Sequence, residues 1–339
     1  MVKCSITQIG LFLVSALCVL GLFSGEPALA DSGMAGFPPP GRLIAVDGHR
    51  RHVFCTGSGT PTVILEEGVG GGSLNWTWVQ RMVAATTRVC SYDRPGYGWS
   101  DSSDTPRDAE TVGRELDALL ESAGEKGPFV EKGPFIVAGH SLGGAYMRMF
   151  AAQQRDNVVG LVLVDATNPS ALATMSEVGL PPINKGAVSS FLASSKILWQ
   201  IADRIGLIRV TSDIDWNDFP PDAVPAVRTF LLSHERARTA LRELDSVSDT
   251  LRQIGPLGGL GPMPVTVISS DRWIDKDPEI AARRAEWNKK QQRNWLAISS
   301  HSRFLIVPGS DHLSLLSKKE HAAAVSDAII RMVRGLKRR

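Results

Sequence analysis

Phe135-Ile136-Val137-Ala138-Gly139-His140-Ser141-Leu142-Gly143-Gly144-Ala145-Tyr146-Met147-Arg148-Met149-Phe150-Ala151-Ala152 joins an apolar run to a helix-forming run through G-x-S-x-G. The first four residues predict a buried strand and the stretch from Gly144 a helix. A chain that turns abruptly from strand to helix at a serine needs small neighbours, because the turn is tight and packing is close. Such a turn lifts a serine hydroxyl above the sheet edge, beside a helix N-terminus that attracts anions. Ser141 is therefore the candidate nucleophile.

Outward from this point, strands and helices alternate. Arg42–Val46 and Arg51–Cys55 flank Asp47-Gly48, a hairpin signal. Predicted strands follow at Thr62–Glu67, Arg88–Tyr92, Val158–Asp165, Pro264–Ser269 and Phe304–Val307. Predicted helices lie at Leu74–Ala85, Arg107–Ala123, Asp277–Ile298 and Lys318–Leu336. An opening hairpin followed by alternation predicts an α/β fold: a mostly parallel sheet with helices on both faces. The alternation breaks over residues 170–262, which hold apolar segments at Phe191–Ile208 and Val224–Leu232. This stretch reads as a helical cap between core parts 42–169 and 263–339. EKGPFV at 125–130 is followed by EKGPFI at 131–136, a local duplication too short for a repeat architecture.

The ends and the composition bound the function. Lys3, the apolar run Ile9–Phe23 and Ala28-Leu29-Ala30 have the order of a signal peptide over residues 1–30, with 31–41 a flexible leader. The apolar run is short for a bilayer span, so export to a secreted or periplasmic location is expected, with a membrane contact only if the leader is retained. With 37 basic and 35 acidic residues, the net charge of +2 argues against a nucleic-acid partner. No cluster of His, Cys and Asp has metal-ligand spacing, so neither a metal nor an organic cofactor is expected. Cys4 and Cys18 belong to the leader, which leaves Cys55 and Cys90. Two cysteines in an exported chain invite a disulfide, against the plainer reading of two small buried side chains.

A serine hydroxyl needs a base. Of seven histidines, His312 follows the last predicted strand on a short loop and is the candidate; His140 is expected to leave the elbow in another direction. The base needs a carboxylate to fix its tautomer. Asp165 closes an apolar predicted strand directly and is the favoured acid; Asp271, which follows the next predicted strand, is the alternative. Two backbone N–H groups should receive the oxyanion: Leu142, next after the nucleophile, and Val69 in the glycine-rich loop 68–72.

Leu65-Glu66-Glu67-Gly68, Tyr92-Asp93-Arg94-Pro95-Gly96-Tyr97-Gly98-Trp99-Ser100, Gly139–Gly144 and Leu161–Ala166 resemble the α/β-hydrolase fold superfamily, in its broad bacterial "hydrolase fold-1" branch. The resemblance covers residues 42–169 and 263–335 but not the cap. It implies a Ser-His-Asp hydrolase, places the Cys55 and Cys90 strands side by side, and allows the acid at either Asp165 or Asp271. Haloalkane dehalogenases are similar but use an aspartate nucleophile, where this chain has Ser141. Many members have His-Gly before the oxyanion donor; here Glu67-Gly68 stands instead, and an unpaired carboxylate there would oppose an oxyanion. The expected activity is cleavage of a small carboxylic ester. The alternatives are attack on an amide, lactone or C–C bond, or a ligand-binding or signalling protein with weak or no turnover.

Overall fold

The computed structural model describes residues 34, 36–124, 134–180 and 215–338. The predicted leader 1–30, most of the 125–136 duplication and the predicted apolar segment 191–208 lie outside the described residues.

Eight strands form one sheet in the order β1-β2-β4-β3-β5-β6-β7-β8. They are β1 (Arg42–Val46), β2 (His49–Thr56), β3 (Thr62–Glu66), β4 (Val89–Tyr92), β5 (Phe135–His140), β6 (Val158–Val164), β7 (Val265–Ser270) and β8 (Ser302–Val307). The hairpin turns at Asp47 and Gly48, both with positive φ (49° and 78°), the geometry whose twist matches the flanking strands. β2 pairs antiparallel with β1 and β4; from β4 onward all pairs are parallel. Cys55 lies opposite Cys90 in the β2–β4 register, and a disulfide joins them.

The central strands are buried on both faces, and their side chains divide with period two. Ile64, Val137, Leu161 and Leu163 pack under helices α2 (Ala109–Ser122) and α3 (Leu142–Gln153). Val63, Leu65, Ile136, Ala138, Val162 and Val164 face α1 (Thr77–Ala84) and the C-terminal helix Lys319–Lys337. The predicted helix Leu74–Ala85 is a 3-10 turn, Ser73–Trp76, running into α1.

Among the described residues, 170–262 contribute no strand to the sheet. They contribute α4 (Val224–Leu231) and the 21-residue α5 (His234–Ile254), whose N-terminus Ser233 caps by accepting from the Arg236 N–H. Val247, Leu251 and Ile254 of α5 join the core with α2 and α3. After β7, α6 (Pro278–Asn294) is capped by Asp277, and β8 leads through residues 308–318, with a short helical turn at Ser314–Ser317, to α7 (Lys319–Lys337).

Candidate active site

Ser141 sits at the β5–α3 turn with φ 54° and ψ −126°, a strained conformation held by its surroundings. Its N–H donates to the Val164 carbonyl at 3.0 Å, and its carbonyl accepts from Thr167 at 2.9 Å. Glycine is required at Gly143: a Cβ there would come within 2.6 Å of the Glu66 and Glu67 carbonyls. A Cβ on Gly68 would lie 2.6 Å from Ser141 Cβ and 3.0 Å from its Oγ, so the 68–72 loop rests directly on the candidate nucleophile.

Asp165 ends β6 with φ 45° and is buried. Its carboxylate accepts four hydrogen bonds: from His312 Nδ1 at 2.7 Å, Asn288 Nδ2 at 2.7 Å, and the Ser270 N–H and Oγ at 3.0 Å each. Burial works against the charged form, but the His312 bond and charge, with the Ser270 and Asn288 donors, outweigh it and hold the pKa down to about 2. Asp271 is employed differently. It accepts from the Gly309 N–H at 3.0 Å and pairs with Lys289 at 3.2 Å, so it braces the turn before His312 rather than the imidazole. That turn is also capped by Asp311, which accepts from the Leu313 and Ser314 N–H groups.

Ser141, Asp165 and His312 line one cleft of about 390 Å³, with Trp273, Trp287 and Asn288 among its walls. No hydrogen bond joins Ser141 Oγ to His312 among the described residues. The Leu142 and Val69 N–H groups likewise donate to nothing among the described residues, and neither residue lines the cleft that holds Ser141. Val69 lines a second hollow of about 440 Å³, which shares Ile274, Asp311 and Leu313 with the first.

The His140 side chain departs from its sequence expectation. It lies beside His312, ring centroids 4.5 Å apart, and is buried. Its Nε2 donates to the His312 carbonyl at 3.0 Å, and its Nδ1 meets Glu67 Oε1 at 2.9 Å. The carbonyl can only accept, so Nε2 carries a proton and the Nδ1–Glu67 bond holds a second one. The pair is thus neutral overall, as imidazolium and carboxylate or as imidazole and acid. Burial pushes the His140 pKa down, but the Glu67 carboxylate outweighs this and the net direction is up. Glu67 is therefore paired through Oε1, while its buried Oε2 has no hydrogen-bond partner among the described residues. A histidine adjoining the nucleophile and a glutamate before the glycine loop were both visible in the chain; their pairing across 73 residues was not.

The model of the α/β hydrolase family matches residues 53–328. An AB hydrolase superfamily protein of Gibberella zeae is 26% identical over 301 residues, covering 81% of this chain and 87% of that protein. Other fungal relatives are much longer. The chain spans 16% of an uncharacterized Schizosaccharomyces pombe protein, to which 28% of it is 37% identical over 94 residues. Among solved structures, the epoxide hydrolase CorEH is similar with a TM-score of 0.62 at 19% identity, over 87% of this chain and 98% of that one. The enol-lactonase of Burkholderia xenovorans gives 0.59 at 18% identity, over 86% and 100%. An esterase of Thermogutta terrifontis gives 0.58 at 17% identity, over 86% and 97%. At these identities the structures establish the fold alone. With the family match spanning the sheet from β2 to α7, the chain belongs to the α/β hydrolase family.

Proposed function

We propose that this chain is an exported serine hydrolase that cleaves a small carboxylic ester through an acyl-enzyme. His312 takes the Ser141 proton, Ser141 attacks the ester carbonyl, and the Leu142 and Val69 N–H groups receive the oxyanion. Asp165 holds Nδ1–H and stabilises the imidazolium. The alcohol leaves with the proton from His312, and water activated by the same imidazole releases the acid. Every step uses the chain's own groups and calls for no metal or organic cofactor. The 170–262 insertion acts as a cap that shapes the substrate cleft and limits water entry.

The observation that carries this reading is the 2.7 Å Asp165–His312 bond, in one cleft with a serine at φ 54° on a strand–helix turn. An esterase and a lactonase among the fold neighbours support acyl transfer as the reaction class. The Cys55–Cys90 disulfide supports residence in an oxidising compartment. The test is a stopped-flow assay with p-nitrophenyl esters of increasing acyl length, combined with mass analysis of the quenched enzyme. A burst of one p-nitrophenol per chain with an acyl mass on Ser141 supports the reading; turnover that survives Ser141→Ala sinks it. N-terminal sequencing of the exported protein tests the leader, with Asp31 the expected first residue and retention of Met1 the contrary result.

One observation favours a second reading. Ser141 and His312 share a cleft without a hydrogen bond, as a ligand-binding protein with a weakened site would. Unliganded hydrolases also hold this bond loosely. A family of esters bound at saturation without any acyl-enzyme would establish the binding protein instead.

A further inference from the structure

Arg94 makes no contact with the cleft that holds Ser141, yet its guanidinium is among the most completely used groups in the fold. It is buried, and all five of its N–H donors are engaged. Nε donates to Glu243 Oε1 at 2.7 Å and Nη2 to Glu243 Oε2 at 2.9 Å, a bidentate pair with helix α5. Nη1 donates to Glu66 and, at 2.6 Å, to the Glu67 carbonyl. The remaining Nη2 donor goes to the Gly68 carbonyl at 2.8 Å. Two donors thus grip two successive backbone carbonyls of the loop that rests on Ser141.

In a trans peptide the C=O and the following N–H point in opposite directions. Anchoring the Gly68 carbonyl on Arg94 therefore aims the Val69 N–H away from the guanidinium. A flip of this peptide would bring a carbonyl to that side and break the Arg94 bond, together with the 3.1 Å bond that the Gly71 N–H donates to the same Gly68 carbonyl. The same helix holds the loop at further points. Tyr97 Oη donates to Glu243 Oε2 at 2.8 Å and accepts from the Gly70 N–H at 3.0 Å, while Arg236 of α5 donates to the Gly70 carbonyl.

We infer that Arg94, clamped by Glu243 of α5, is a positioning residue that sets the Gly68–Val69 peptide and so aims the Val69 N–H as an oxyanion donor. This rests on the serine-hydrolase reading and assigns the inserted helix α5 a part in transition-state stabilisation. A substrate's ground-state carbonyl gains little from a donor placed for the tetrahedral oxygen, so the effect belongs in kcat and in the binding of tetrahedral adducts, with KM nearly unchanged.

The test compares wild type, Arg94→Lys and Glu243→Gln. Glu243→Gln keeps the shape of the clamp and serves should the lysine variant fail to fold. Three quantities are measured: kcat and KM on a p-nitrophenyl ester, the inhibition constant of phenylboronic acid, whose serine adduct is tetrahedral, and the thermal midpoint. Losing an aligned oxyanion donor costs on the order of 10²–10³ in kcat, and a misaimed one should cost at least about tenfold. The expected result is therefore a matched fall of about tenfold or more in kcat and in boronate affinity, with KM within about twofold. A variant that only lowers the thermal midpoint while keeping the boronate-to-substrate ratio of wild type overturns the inference. A wild-type enzyme inert to both ester and boronate instead refutes the hydrolase reading on which it stands.

Discussion

Replacing Asp165 by Asn changes one atom and should remove nearly all turnover. The carboxylate accepts four hydrogen bonds, two at 2.7 Å and two at 3.0 Å. An amide has a single oxygen. If that oxygen stays with Asn288 and the Ser270 N–H, the NH₂ group faces His312 Nδ1, where donor meets donor. The imidazole must then adopt the other tautomer, with Nδ1 accepting and Nε2 carrying the proton, and it has no lone pair left for Ser141. The opposite amide orientation restores the His312 bond but sets NH₂ against two other donors in a buried site. The lost charge-assisted bond is worth about 1.5–3 kcal/mol. With the tautomer inverted as well, the total should be on the order of 10⁴-fold in kcat, roughly 5 kcal/mol on the barrier. The assay is kcat and KM on a p-nitrophenyl ester for wild type, Asp165→Asn and Asp271→Asn, with a urea titration of each to exclude unfolding. Asp271 braces the 309–310 turn and touches no imidazole, so its variant should stay within about tenfold. Folded Asp165→Asn enzyme that keeps more than a tenth of wild-type kcat would refute the reasoning, and a larger loss at Asp271 would reassign the acid.

Gly68→Ala should abolish acylation with the fold intact, because the new Cβ would stand 2.6 Å from Ser141 Cβ and 3.0 Å from Oγ; ester turnover beside circular dichroism checks this. The raised His140 pKa predicts a pH-dependent contribution to stability. A group bound more tightly to its proton in the folded state contributes fully below its unfolded value, near 6.5, and loses that contribution as pH rises through the folded value. Wild type should therefore lose stability above about pH 6.5 with a slope of up to about 1.4 kcal/mol per unit, and Glu67→Gln should flatten it; identical urea-derived slopes would contradict the pairing. The Cys55–Cys90 disulfide closes a separation of 35 residues, for which loop entropy gives about 4 kcal/mol, so reduction should lower the urea midpoint markedly; an unchanged midpoint with both thiols titratable would contradict it.

The sheet was legible because its signals are local. The hairpin is written in Asp47-Gly48, the parallel strands in short apolar runs, and the elbow in the glycines around Ser141. Asp165 was legible as the favoured acid only from its apolar strand, and Asp271 stayed an alternative because β6 and β7 are neighbours that end at the same sheet edge. What separates them is the Gly309 N–H, which claims Asp271 and leaves Asp165 with His312. His140 was misjudged for a related reason: sequence places it next to Ser141 but says nothing of Glu67, reached from a separate strand end. The Arg94–Glu243 clamp spans 149 residues, and a charged residue in a chain carries no mark of its distant partner. Helix α5 was equally obscure as a contributor to the site, since it lies in the insertion where the alternation of strands and helices stops.

The central claim is an activated Ser141, and the most direct measurement is the intact mass of the mature protein after treatment with a fluorophosphonate, with Ser141→Ala alongside. The account predicts one phosphonyl adduct on wild type and none on the variant. Folded wild type that takes up no reagent, or a variant that is labelled equally, would contradict it.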